Sequence, residues 1–266
     1  MSDAAFVGSI PELYDRHLGP MLFEPYALNV AARFRGFEGL LLETAAGTGR
    51  VTRALAEAVD PQARIVATDL NEPMIARARE LVRADNVEWR QADGQALPFR
   101  DGEFDAVVCV FGMMFLPDKA AGYAEARRVL KPDGRFVFAV WDRIDANDIS
   151  QTVDETVAAM FPDDPPGFLA RGPYGYNDKD AIRAAAETAG FASVAIETVA
   201  LETPAKWAAD AATGLCMGSP LRSGIDANHP GQLDAVLEAV TQALRRRFGN
   251  GPIAGKGQAL VVTARP

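Results

Sequence analysis

Cysteine and histidine are nearly absent, with two of each among 266 residues. Cys109 and Cys216 cannot form a disulfide framework and suit a reducing, cytoplasmic setting. His17 and His229 lie far from them and from each other, so no zinc-ligand spacing exists and no metal is expected. Basic residues are in deficit, 27 against 36 acidic ones, for a formal net charge of −9. Such a surface repels a phosphate polymer unless a basic face is segregated. The one dense basic cluster, Arg245–Arg247, falls where a helix should end before Gly249, and cations there complement the helix dipole. Nucleic acid is not an expected partner. The longest apolar run, Ala106–Leu116, has 11 residues, against about 20 needed to cross a bilayer as a helix. The opening Met1-Ser2-Asp3 shows neither the basic nor the apolar part of a secretory signal, so a cytoplasmic location is expected.

What is present is a rhythm. From about residue 38, short apolar runs alternate with amphipathic stretches, the pattern of a parallel sheet wrapped by helices. Strands are expected at Leu40–Ala46, Arg64–Thr68, Val87–Arg90, Phe104–Phe111, Arg135–Trp141, Ala192–Leu201 and Ala259–Ala264. Helices are expected at Arg50–Val59, Pro73–Ala84 (Asn71 as its cap), Lys119–Leu130 and Asp178–Ala189. Lys131-Pro132-Asp133-Gly134 reads as the turn into the fifth strand. The fold class is therefore α/β, a doubly wound, Rossmann-like, seven-stranded and mostly parallel sheet with helices on both faces.

Two segments break the rhythm. Residues 142–177 hold a short helix and the proline-rich stretch Phe161–Tyr176. Residues 202–257 offer Thr203 as an N-cap with Pro204 at the first helical position, then a helix with Leu233, Val236, Leu237, Val240 and Leu244 on one stripe. The organisation expected is an N-terminal helical segment 1–36, an α/β core 37–141, an insertion 142–177, a core continuation 178–201, a partly helical lid 202–257 and a last core strand 258–266. Ligands bind outside the carboxyl ends of the strands in such sheets, which is why an insertion leaving the sixth strand there reads as a lid. Peripheral packing or a homodimer interface is the plainer alternative.

The informative stretch is Leu40–Val51, where a buried strand ends in Glu43 and small residues lead into a helix. Gly47 and Gly49 let the backbone pass close to a ligand, and the helix start offers free N–H groups. Asp69 ends the second strand, where a carboxylate can accept from both ribose hydroxyls. Asp93 follows the third strand, where it can accept from an adenine amino group. Leu70, Met74 and Ala96 are apolar neighbours for a flat base. Each acid has a plain structural alternative: Glu43 as a brace, Asp69 as a cap near Pro73, Asp93 in an Asx turn before Gly94.

In these residues the chain resembles the class I S-adenosylmethionine-dependent methyltransferases, specifically the group similar to ubiquinone and menaquinone biosynthesis methyltransferases. The likeness covers roughly residues 38–141. It implies that Glu43, Ala45, Gly47, Thr48 and Gly49 wrap the methionine part of S-adenosylmethionine and that Asp69 holds the ribose. Asp93, with Gly94, Gln95 and Leu97-Pro98-Phe99, would meet the adenine, beside Leu70 and Met74. Phe104–Cys109 and Leu130–Gly134 are also typical of the group. Phe111 and the N-terminal Tyr14 are further implied cofactor neighbours, Tyr14 having a surface-helix alternative. The family usually has glycine where this chain has Ala45, and alanine fits there if its φ is not positive.

S-adenosylmethionine carries net positive charge, which suits three acids. A dinucleotide-dependent oxidoreductase using NAD(P) shares the glycine loop and Asp69, but the third glycine of its motif would fall at Thr52, and it leaves Asp93 unexplained. A non-catalytic protein that binds S-adenosylmethionine or S-adenosylhomocysteine is the other alternative. The acceptor expected is a small, partly apolar molecule, with Met113, Met114 and Phe115 near the transfer site or in the core. Should a base be needed, His17, His229, Tyr174 and Tyr176 are the candidates.

Overall fold

The computed structural model describes residues 10–266, so residues 1–9 of the expected segment 1–36 lie outside the described residues. The chain divides into two compact units. A helical unit takes the chain up to Pro25, Asp142–Gly175 and Ala200–Gln258, and an α/β unit takes Tyr26–Trp141, Tyr176–Val199 and Ala259–Pro266.

The α/β unit is built on a seven-stranded sheet, β1 (Leu40–Glu43), β2 (Arg64–Asp69), β3 (Val87–Gln91), β4 (Phe104–Val110), β5 (Leu130–Trp141), β6 (Ser193–Ala205) and β7 (Ile253–Arg265). The order across the sheet is β3-β2-β1-β4-β5-β7-β6. β1 pairs parallel with β2 on one side and β4 on the other, and only β7 is seen to run antiparallel to its neighbour, β5. β1 and β4 are central because they are apolar on both faces: Leu41, Leu42, Ala106, Val107 and Val108 are fully buried. The order reverses between them, which opens a crevice at their carboxyl ends.

Three expectations need correction. β1 stops at Glu43 rather than Ala46, because Ala45 adopts a left-handed conformation that no strand can carry. β5 begins at Leu130, not Arg135. Phe104 pairs with Leu130 and Ala106 with Arg135, so Lys131–Gly134 form a bulge within the strand rather than a turn before it. Thr203 does not cap a helix. The chain stays extended through Ala205, and the helix starts at Ala208. The buried Thr203 hydroxyl donates to the Gly255 carbonyl at 2.9 Å, and β6 is an edge strand, the place in a sheet where a proline such as Pro204 is tolerated.

The helical unit packs Asp148–Met160, Ala208–Met217 and Leu233–Phe248 together, with the wide-turned π-helix Tyr14–Phe23 against Ala208–Met217. Gly214 makes that last approach feasible, since a Cβ there would sit 2.8 Å from the Leu18 side chain and 2.9 Å from His17. Val236, Val240 and Leu244 form the buried stripe of the long helix. Asn147 rivets the unit: its Nδ2 donates to the Arg143 and Gln258 carbonyls at 3.0 and 3.2 Å, and its Oδ1 accepts from the Gln258 N–H at 2.9 Å. Among the described residues no helix is long and apolar enough to cross a membrane.

Gly49 precedes the Arg50–Ala58 helix at φ +84°, and a Cβ there would lie 2.8 Å from Val82 and 2.9 Å from Trp89. Left-handed strain and overpacking then act together, so Gly49→Ala should destabilise the fold by about 2–4 kcal/mol. Urea unfolding checks this as a lowered midpoint at unchanged slope.

Candidate functional site

The carboxyl ends of β1, β2, β3 and β4 carry twelve of the residues singled out above, all in the α/β unit. Glu43 closes β1 and is only 1% exposed. One of its carboxyl oxygens, Oε2, is buried without a hydrogen-bond partner. Burial pushes its pKa up to about 8, with the Thr52 hydroxyl pulling down and the Asp69 charge adding to the rise. Burial thus favours the neutral acid, and one of its oxygens is left without a partner inside the protein.

The loop after Glu43 turns sharply. Ala45 has φ +54° and Gly47 φ +58°, so the condition under which alanine would be unstrained at position 45 is not met. A left-handed alanine costs on the order of 1–2 kcal/mol. The loop is tied to its neighbour by the Ala46 N–H, which donates to the Thr68 carbonyl, and by the Gly47 N–H, which donates to Asp69 Oδ2, both at 2.9 Å. Asp69 Oδ1 accepts from the Asn71 N–H at 2.8 Å. Asp69 therefore braces the loop, and Asn71, although placed as expected before its helix, donates to Asp69 instead of capping. Burial raises the Asp69 pKa, and the hydrogen bonds from Asn71 and Gly47 oppose it. Thr48 is buried in the same loop. Leu70 stands 55% exposed beside Asp69, while Met74 is buried.

Asp93 sits in an Asx turn: its Oδ1 accepts from the Gln95 N–H at 2.9 Å and from Gln95 Nε2 at 3.2 Å, and it bridges to Ala96 across Gly94. Gln95 Oε1 in turn accepts from the Asp118 N–H at 2.8 Å. The plain turn reading of Asp93 is thus present, and one carboxylate oxygen takes both of these bonds. A clamp that the sequence reading missed fixes this loop. Arg128 donates to the Leu97 and Phe99 carbonyls at 3.0 and 2.7 Å and forks onto Glu125, whose Oε2 accepts from the Leu97 N–H. The only sequence signal was the i, i+3 spacing of Glu125 and Arg128.

Phe111, just past β4, also has a positive φ of +57°. Its ring stacks on Trp141 at 3.9 Å and meets Tyr26 edge-on at 5.5 Å. Met113 and Met114 in the following turn are buried. Tyr14 stacks on Phe23 at 4.8 Å within the helical unit. His17 Nδ1 lies 3.5 Å from Asp210, and burial lowers its pKa more than Asp210 raises it. The Tyr174 hydroxyl donates to Ser150 at 2.7 Å, and Tyr176 pairs with the Tyr123 hydroxyl at 3.1 Å. His229 stacks on Phe161, with Nε2 2.9 Å from the Asp164 carbonyl. Among the described residues no three His, Cys, Asp or Glu side chains gather as a metal site.

Glu43 titrates higher in the folded chain than in the unfolded one, so the native state holds the extra proton between those values. Stability is then greatest below the unfolded value of about 4.5 and falls as pH rises toward about 8. Glu43→Gln should flatten that fall, as read by the thermal midpoint between pH 5 and pH 8.

Comparison with known proteins gives relatives in both sequence and fold. Residues 42–138 match the methyltransferase-domain family. The chain is 31% identical over 167 residues to the ubiquinone/menaquinone biosynthesis C-methyltransferase UbiE of Escherichia coli, across 58% of this chain and 66% of that protein. It thus spans just under two thirds of the length of the curated relatives it matches. Among solved structures, phosphoethanolamine N-methyltransferase 2 of Haemonchus contortus in complex with S-adenosyl-L-methionine superposes at a TM-score of 0.62 and 16% identity, covering 99% of this chain and 59% of that one. The cyclase SpnF superposes at 0.54 and 17% identity, covering 91% and 81%. At such identities the structures speak for the fold alone, and the cyclase shows that the fold by itself does not decide the reaction. The domain match and the curated relative agree: residues 42–138 form a methyltransferase domain.

Proposed function

We propose that this chain transfers the methyl group of S-adenosylmethionine to a small, partly apolar acceptor, and that it does so chiefly by positioning. The observation that carries the reading is the buried Glu43, with its orphaned oxygen, at the head of a succession of acids on adjacent strand ends. Such a series suits a cationic amino-acid ligand with a ribose and a base, and it suits a pyrophosphate poorly. The residues fit the cofactor. Glu43 would take the ammonium, Asp69 the ribose hydroxyls, Asp93 the adenine amino group, and exposed Leu70 the face of the base. S-adenosylmethionine supplies, when bound, a methyl group activated on a sulfonium.

The protein's own work is to hold the acceptor in line and keep water out. Positioning of this kind is worth roughly 7–11 kcal/mol. A general base adds about 10²–10⁴-fold, on the order of 3–5 kcal/mol, so positioning outweighs any base, Tyr176 of the α/β unit included. Glu43 and Asp69 are buried, so a cofactor that they held would be held away from bulk water. The name of the curated relative, a C-methyltransferase of ubiquinone and menaquinone biosynthesis, makes a carbon atom of a quinone-type molecule the first acceptor class to offer.

Calorimetric titration with S-adenosylmethionine, S-adenosylhomocysteine and NADH tests the cofactor assignment. The two sulfur ligands should bind and NADH should not. Asp69→Ala should weaken binding by about ten- to a hundredfold, the worth of charge-assisted hydrogen bonds to ribose. Binding of NADH alone would overturn the reading, and sulfur-ligand binding without turnover on any acceptor would favour a non-catalytic binding protein.

A glutamic acid that is neutral at pH 7 must ionise to meet an ammonium. Binding of S-adenosylhomocysteine should therefore release about one proton in the wild type and none in Glu43→Gln. Titrations in two buffers of different ionisation enthalpy read that difference directly.

A further inference from the structure

Among the described residues only two that are not glycine carry a positive φ, Ala45 and Phe111. They lie on the loops that leave β1 and β4, the two central neighbouring strands, and they meet through one residue. A Cβ built on Gly112 would fall 2.5 Å from the Ala45 methyl and 2.6 Å from Cys109 Sγ. The Ala45 methyl thus occupies the space that Gly112 leaves open, and no other side chain could stand at 112 without moving it. Strain at two contacting loops persists only where the surroundings over-determine it, and such outliers concentrate at functional sites.

The surroundings are visible. The Phe111 N–H donates to the Ala139 carbonyl at 2.8 Å while its ring is stacked on Trp141. The next two N–H groups, of Gly112 and Met113, point at the buried Cys109 sulfur, and the Thr44 hydroxyl approaches the same sulfur from the β1 loop. Sulfur is a weak acceptor, so these two amides are held less firmly than those of a regular ladder. The turn after β4 is fixed at Phe111 by stacking, loosely held at Gly112 and Met113, and touched from the cofactor loop by the Ala45 methyl.

We propose that Ala45 is a positioning residue: its methyl group, seated against Gly112, transmits the set of the cofactor loop to the Phe111–Met113 turn. Ligand held by the β1 loop then tightens the turn beyond β4. A glycine at position 45 would relax the strain and leave the two loops uncoupled. The proposal rests on the methyltransferase reading, because it needs S-adenosylhomocysteine to bind at the β1 loop.

Hydrogen exchange of the full chain, read at the Gly112–Leu116 amides with and without S-adenosylhomocysteine, tests it in the wild type, Ala45→Gly and Ala45→Ser. The serine variant keeps the Cβ and serves as the conservative rescue. Ligand should slow these amides about tenfold in the wild type and in Ala45→Ser, and less than about twofold in Ala45→Gly. Calorimetry on the same samples gives each Kd, from which the ligand is set to saturate all three proteins, so that protection is compared at equal occupancy. The thermal midpoint of Ala45→Gly should rise as the strain is released, so that lost coupling cannot be laid to a weakened fold. Equal protection in Ala45→Gly, or no response of these amides in a wild type that binds, would overturn the proposal. Loss of binding in Ala45→Gly would overturn it too, making Ala45 a ligand contact. A wild type that does not bind S-adenosylhomocysteine would show in the calorimetry and would sink the methyltransferase reading, taking this inference with it.

Discussion

A short loop between a buried strand and a helix constrains most of what this molecule does. β1 is apolar on both faces and ends at Glu43, and the next helix begins at Arg50. Six residues must reverse the chain without burying unpaired backbone groups. Left-handed geometry at Ala45, Gly47 and Gly49 solves the reversal. The hydrogen bonds from Ala46 to Thr68 and from Gly47 to Asp69 anchor it to β2. The same carboxylate that would hold a ribose thus also holds the loop that would hold the methionine end, so cofactor recognition and local folding are not separable at Asp69.

The acids at the strand ends are held in different states. Glu43 is sealed in, with one oxygen left unpaired, and burial favours its neutral form. Asp69 is also buried, but backbone N–H groups from two directions support its charge. Asp93 is locked in a turn and steadied from behind by the Arg128 clamp on the Leu97–Phe99 segment. They follow one another at the ends of β1, β2 and β3, and what differs is the surroundings that each one meets.

The aromatic and sulfur groups beyond β4 show how strain is retained. Phe111 keeps an unfavourable backbone conformation because stacking on Trp141 and the edge of Tyr26 reward it. Cys109 is inert as a nucleophile, since burial raises its thiol to about 11, and its sulfur serves instead as an acceptor for the turn. Gly112 matters for the side chain it lacks.

Much of this was legible in the sequence, because strand periodicity, glycine placement and acids at strand ends are local signals. The alternation of apolar runs determined a doubly wound sheet, and Glu43, Asp69 and Asp93 stood out because each follows a buried run. The sequence could not show which edge the last strands occupy, that Lys131–Gly134 bulge within β5, or that Thr203 and Pro204 remain extended, since pairing partners decide those outcomes. The Arg128 clamp and the Ala45–Gly112 contact were equally hidden, because each joins residues that are distant in the chain. A left-handed alanine and a left-handed phenylalanine run against local preference, and only packing across neighbouring strands could outweigh that preference. The sequence by itself determined the elements and the kinds of group at the crevice. The tertiary structure decided their register, their protonation and their strain, because each of these depends on what a residue touches rather than on what precedes it.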